Sequence, residues 1–337
     1  TDCRASGPAF FTRKRMTAIN TFAWSTALEP DDYAPVDTFD LAQEYLDPGD
    51  LGDTSDQSLV LKSIKRTGKN GGTVKVPPVD FTYHMKPNRV DIDGDNILPL
   101  NRPRINTITS ETGAITTVTL SNPECVRGSK MPVAEDDNSL SCYPVYWPIN
   151  GGDPKLDWFH KYNVTAVTIA DPAGQNDLVE NAYEYANPGW HHNDDPLTPE
   201  DERTWSDWRG YGKVTAYTGA VGKTRSKTVK VFMQGMRGDA RKGTTATRNT
   251  TVSAVPVPGL TIPDVNDDDQ YAGFQRQQIT YDGNTPLSVS ATDQGLLRPP
   301  ADRVQAHFPD RLQHLADHPY RYRLRRLRPA DVDLVGR

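Results

Sequence analysis

Apolar and polar residues alternate with a period of two along most of this chain, and Asp- and Gly-bearing turns interrupt the alternation at intervals. Leu59-Val60-Leu61-Lys62-Ser63-Ile64 runs into Thr67-Gly68-Lys69-Asn70-Gly71-Gly72 and leaves through Val74-Lys75-Val76. Pro77-Pro78 then breaks the strand before Val79-Asp80-Phe81-Thr82-Tyr83 resumes it. Residues 104–109 meet Glu111-Thr112-Gly113 and return as 115–120. Residues 162–169 meet Asp171-Pro172-Ala173-Gly174 and return through Val179 to Tyr185. Residues 277–281 meet Asp282-Gly283-Asn284 and return as 287–290. Each unit is a strand, a turn and a second strand, the pattern of a β-hairpin with one buried face. Phe22-Ala23-Trp24, Tyr33 and Val36-Asp37 predict further short strands before a turn at Asp47-Pro48-Gly49-Asp50. A lone hairpin cannot bury a face, so the units are expected to stack into one sheet.

One segment departs from this rhythm. Thr198-Pro199-Glu200-Asp201 supplies an N-cap residue, a proline at the first helical position and acidic residues in the first turn. Trp205 and Trp208 follow at i,i+3 spacing, with Gly210 and Gly212 beyond. A short helix is therefore predicted near 199–208. Residues 255–273, with Asp267-Asp268-Asp269, read as a long acidic loop. The predicted class is mainly β, with repeated antiparallel hairpins forming a curved or shell-like sheet. The hairpins occupy residues 1–293, as one segment or as two parts, 1–150 and 151–293.

Composition agrees with many short strands. Gly and Pro together make 52 of the 337 residues, and only 36% are hydrophobic, which disfavours a helical bundle. No apolar run reaches the length of a membrane-spanning helix. The first residues, Thr1-Asp2-Cys3-Arg4, carry neither an initiator Met nor a signal-peptide core, so the chain is expected to be cut from a longer one whose export signal lies upstream. A net charge of -6 gives no nucleic-acid signal. That charge is uneven: residues 294–337 hold nine Arg, no Lys and five Asp, or +4, leaving -10 for the rest. This Arg-rich tail continues nothing before it. It is expected to be poorly ordered or non-native, such as the frame-shifted end of a high-GC gene. The competing reading is a basic arm for nucleic acid or anionic lipid.

Three features carry candidate chemistry. Asp91, Asp93 and Asp95 stand at alternate positions, as the first three ligands of a calcium loop do. Asn96 replaces the glycine of an EF-hand and Arg102 its terminal Glu, so the expectation is at most a looser calcium turn, against a plain Asp/Gly turn. Cys125 and Cys142 flank a polar loop and are expected to form a disulfide worth about 3 kcal/mol, the alternative being two separate buried thiols. Without a C-x-x-C pair they give no zinc signal. His191-His192-Asn193-Asp194-Asp195, with His160 upstream, is the most catalytic-looking stretch and supports a metal-dependent hydrolase built on His160, His191 and Asp194. Adjacent residues on an extended chain point to opposite faces, and Pro188, Gly189 and Pro196 mark a loop, so a structural role is the leading expectation. There is no G-x-S-x-G, H-E-x-x-H or phosphate-binding Gly-rich loop.

Several stretches resemble a known family. They are Pro87-Asn88-Arg89-Val90-Asp91, Leu156-Asp157-Trp158-Phe159-His160-Lys161-Tyr162 with the strand Val164–Thr168 and its turn, Trp205-Ser206-Asp207-Trp208-Arg209-Gly210-Tyr211-Gly212-Lys213-Val214, and Met233-Gln234-Gly235-Met236-Arg237-Gly238-Asp239. Together they look like actinobacterial RHS/YD-repeat proteins, in the part ahead of the main repeat array; Ile279-Thr280-Tyr281-Asp282-Gly283 is only a loose YD unit. The resemblance spans roughly residues 10–293. It implies a large secreted or cell-surface protein of polymorphic-toxin type, whose hairpins wind into a hollow shell that encloses or displays a C-terminal toxin. The self-cleaving core and the toxin lie further downstream in that family, so no catalytic residue is carried over. Three functions follow as expectations. The first is a non-catalytic scaffold with Trp158, Trp205 and Trp208 as core anchors, whose partner is the remainder of the same polypeptide. The second is a carbohydrate or cell-wall binding module using aromatics between Trp190 and Trp208, and the third is the hydrolase.

Overall fold

The computed structural model describes residues 14–292 except 51, 53, 55 and 221, together with the backbone of 303–307. Thirteen strands form one continuous antiparallel path in chain order: β1 (Ala18–Ser25), β2 (Asp32–Leu46), β3 (Ser58–Gly68), β5 (Val79–Pro87), β6 (Asn101–Thr109), β7 (Ile115–Leu120), β10 (Val164–Ala170), β11 (Val179–His191), β12 (Asp207–Ala220), β13 (Ser226–Phe232), β16 (Gln275–Asp282), β17 (Thr285–Thr292) and β18 (Arg303–His307). The short β4 (Val74–Lys75) joins the edge of β3. Two small two-stranded sheets leave this path and return to it: β8 (Cys142–Pro148) with β9 (Pro154–His160), and β14 (Thr251–Val252) with β15 (Val265–Asn266).

The predicted hairpins form as strand pairs. β6 lies on β7 with Ile108 opposite Thr116, β10 on β11 with Val167 opposite Asn181, and β16 on β17 with Ile279 opposite Val289. The last hairpin closes in two residues between Asp282 and Thr285, and Gly283 takes φ +55° at its first central position, which a side chain would oppose. Pro77-Pro78 interrupts the strand as expected, and β5 then continues along the same partner, β3, that β4 had paired.

The helix predicted near 199–208 does not form. Only Glu200–Glu202 make a single 3₁₀ turn; Pro199 precedes it and no side chain caps it. Arg203 is extended, and Asp207 already enters β12, where Trp208 pairs with Trp190 of β11. The local capping signals are overridden by non-local strand pairing: a helix through 208 would forfeit the end of the longest ladder in the sheet. Gly210 and Gly212 accordingly sit inside a strand.

Core packing is uneven. Three buried clusters lie where long connections fold back on the sheet: Val90, Cys125 and Cys142; Met233, Val265 and Tyr271; Val257, Ile279 and Val289. The acidic loop is part of this packing. Buried Asp267 accepts hydrogen bonds from the backbone N–H groups of Gln234, Gly235 and Met236 at 2.8–3.0 Å, while Asp268 pairs with Arg237 and Asp269 with Arg209. The N-terminal strands contrast with this. Cross-strand partners Trp24/Tyr33 and Phe22/Pro35 place their side chains on one face. Trp24 and Tyr33 meet edge to face at 5.2 Å, yet they remain 58% and 62% exposed. Among the described residues nothing covers this apolar face. The sheet also runs past 294, since β18 pairs with β17; the remainder of the Arg-rich tail, and Cys3, lie outside the described residues.

Candidate functional site

The β8–β9 hairpin docks onto the β11–β12 part of the sheet through aromatic rings. Tyr143 stacks on Trp190 at 5.1 Å between centroids, and Trp190 packs on Trp208 at 4.6 Å. Polar contacts fix the docking: the Trp190 indole N–H donates to Leu140 O at 2.9 Å, the Thr204 hydroxyl to Pro144 O at 2.7 Å, and the Asn163 amide to the Tyr211 hydroxyl at 2.6 Å. Behind this junction lies a cavity of about 360 Å³ whose walls include Arg104, Tyr143, His160, Lys161, Trp190 and Trp208. No Asp or Glu lines it. Burial lowers the pKa of His160, and burial together with the Arg104 charge lowers that of Lys161. Burial pushes the Tyr162 phenol, beside the cavity, up to about 12. His160 Nδ1 and Arg104 Nε are buried without a hydrogen-bond partner.

The structure separates the residues of the hydrolase expectation. His160 lines the aromatic cavity. His191 is buried elsewhere in contact with Asp239, 3.5 Å from Nε2 to Oδ1, and its Nδ1 lies 2.8 Å from the carbonyl of His192. The same Asp239, wholly buried, is ion-paired to Arg248 at 2.9 Å and accepts the His192 backbone N–H at 3.0 Å. Asp194 belongs to a third place, a shallow polar hollow that it lines with His192 and Arg209. His192 Nδ1 is 2.8 Å from Asp194, at the surface. Neither of these two hollows holds His160, His191 and Asp194 together.

The aspartates of the calcium expectation surround an internal cation. Arg89, 2% exposed in its side chain, donates from Nε to Asp157 at 2.6 Å and from Nη1 to Asp91 at 2.7 Å and Ile97 O at 3.1 Å. Its Nη2 bonds Asp95, and Arg127 bonds the other oxygen of Asp157. The Arg89 hydrogen bonds hold Asp95 below the usual carboxylate range, against an upward push from burial. Asp93 stays exposed. Two of the three carboxylates thus serve a guanidinium from two residues upstream. Among the described residues no group of three or more His, Cys, Asp or Glu side chains is placed to hold a metal ion. A disulfide joins Cys125 and Cys142 in the cluster beside this cage, with Cα atoms 6.2 Å apart and Trp158 packed against it.

The tryptophans do not form a planar exposed row. Trp190 and Trp205 are buried, the latter donating to Ala240 O at 3.0 Å, while Trp158 and Trp208 are half-buried. Sequence reading singled out His160 and the tryptophans but not Arg89, Arg104, Tyr143, Lys161 or Asp239, which no local pattern marks. Comparison with protein-family models, with curated proteins and with solved structures finds no match to this chain.

Proposed function

We propose that this chain is a non-catalytic structural segment of a large secreted or cell-surface protein of the RHS/YD-repeat kind. It would form part of the β-wall that encloses or displays a C-terminal toxin. The observation that carries this reading is the unbroken meander of thirteen strands in chain order, with an uncovered apolar face over β1 and β2. An apolar face of that kind marks a surface that meets other protein, and the partner fitting a wall is the remainder of the same polypeptide. The disulfide fits an oxidising compartment. Burial of Trp190 and Trp205, and the dispersal of His160, His191 and Asp194, favour scaffold over hydrolase. A glycan-binding role lacks exposed rings in a row; its support is the aromatic cavity alone.

Electron cryo-microscopy of the polypeptide expressed from the whole gene tests the reading. The expected image is a hollow β-shell with this meander as a stretch of its wall. A free-standing domain on a tether, or a gene with no repeat array following this region, would overturn it.

A further inference from the structure

We propose that the cavity between the β8–β9 hairpin and the main sheet is a binding site for an acidic sugar unit, a pyranose bearing a carboxylate. Charge is the first support. Arg104 and Lys161 both line the cavity, no acidic residue does, and neither cation is ion-paired to a described carboxylate. Arg104 is held by a hydrogen bond from Nη2 to Asn88 Oδ1 at 2.6 Å, which leaves its buried Nε without a partner. Two cations lining a cavity that no carboxylate enters match an anion with several acceptors.

The aromatic part of the lining supplies the second support. Trp190 is buried between Tyr143 and Trp208, and these two half-buried rings give the cavity its apolar surface. The Lys161 ammonium sits 5.3 Å from the Trp208 ring centroid, near enough for one ligand to touch both. A pyranose answers both walls: its C–H face lies on a ring while its carboxylate meets Arg104 and Lys161. A bare anion would leave the rings unmatched, and a neutral sugar would leave the cations unmatched. The volume, about 360 Å³, is at the small end of ligand pockets and suits a single ring more than an extended chain. The walls are fixed beforehand, Trp190 by Leu140 O and Tyr162 by its hydroxyl on Pro87 O at 2.7 Å, so little ordering opposes binding. This site is independent of the shell reading.

Tryptophan fluorescence titration at constant ionic strength tests the proposal, with methyl glucuronide as probe and methyl glucoside, acetate and N-acetylglutamate as comparisons. The expected result is saturable quenching by the glucuronide, with each comparison weaker by about tenfold or more, the size of one lost charge-assisted hydrogen bond. Lys161→Gln and Arg104→Gln are each expected to weaken the glucuronide by a similar factor. Lys161→Gln is the decisive variant, because Arg104 also holds Asn88 and its loss can disturb folding. Absence of saturation, equal binding of the glucoside, equal binding of acetate or N-acetylglutamate, or an unchanged affinity in a folded Lys161→Gln protein would each overturn the proposal.

Discussion

Replacing Arg89 by Leu removes the cation that ties three stretches of chain together. Its guanidinium spans Asp157 on β9, Asp91 and Asp95 in the following turn, and the carbonyl of Ile97. Asp157 is 5% exposed and would keep Arg127, its own neighbour's N–H and a long contact from Trp147. Deleting one partner of a buried charge pair leaves the other desolvated and typically costs about 3–5 kcal/mol. That cost decides the size here, because Asp91 is largely exposed and its share of the loss is small. Arg89→Lys keeps the charge, but one ammonium cannot span all four acceptors, so about half the loss is expected. Equilibrium urea unfolding followed by tryptophan fluorescence measures both. The midpoint should fall at unchanged slope, as it does when native contacts are lost without a change in the surface exposed on unfolding. A loss in Arg89→Leu below about 1 kcal/mol would place the cage among ordinary surface ion pairs and refute the reasoning.

Three further outcomes are expected. Asp267→Ala strands the buried backbone N–H groups of Gly235 and Met236 and the half-buried one of Gln234, and should lower stability by about 3 kcal/mol in the same assay; a loss within about 0.5 kcal/mol would mean water replaces the carboxylate. Reducing the Cys125–Cys142 bridge, which closes a separation of 17 residues, should cost about 3 kcal/mol, read as the difference in urea midpoint with and without reductant. Acid should unfold the protein through Asp95 and Glu124. Arg89 hydrogen bonds lower Asp95; burial raises Glu124, but Lys130 and the Ser141 groups outweigh it and leave it lowered. Carboxylates lowered by folding contribute fully above the ordinary range near about pH 4 and lose that contribution as pH falls through their lower folded values. Midpoints measured down the pH scale should therefore decline first below about pH 6.5, where the His160 imidazole kept neutral by burial loses its contribution, and again below about pH 4, with the second decline shallower in Asp95→Asn.

The hairpins were legible because period-two patterning and turn residues are both local. Residues 104–120, 162–185 and 277–290 pair as their sequence suggests. The segment at 199–208 misled for the same reason. Its capping signals are local, whereas the pairing of Trp208 with Trp190 is decided by the whole β11–β12 ladder. The bulge there was invisible too: Arg209 and Gly210 of β12 stand opposite the single Gly189 of β11, and the Gln234 amide, arriving from beyond β13, donates to Asn187 O and Gly210 O, so closely that a β-carbon on Gly189 would stand 2.5 Å from it. Asp91, Asp93 and Asp95 displayed their spacing but not their partner. A buried arginine two residues earlier reads as surface in any sequence pattern, because charged side chains are seldom buried unless paired. The cavity draws on Arg104, Tyr143, His160-Lys161, Trp190 and Trp208 from five separate places in the chain, and the inserted β8–β9 hairpin helps bring them together.

The face over β1 and β2 offers the most direct measurement of the wall reading. Phe22, Trp24 and Tyr33 are all more than half exposed. Trp24→Cys in a Cys3→Ser background, probed with a thiol reagent, would report the surroundings of that face, once in this segment alone and once in the polypeptide expressed from the whole gene, with the native disulfide oxidised in both. Protection in the whole polypeptide with rapid labelling in the segment is the result expected for a wall whose apolar face is covered by the rest of the chain. Equally rapid labelling in both would contradict it.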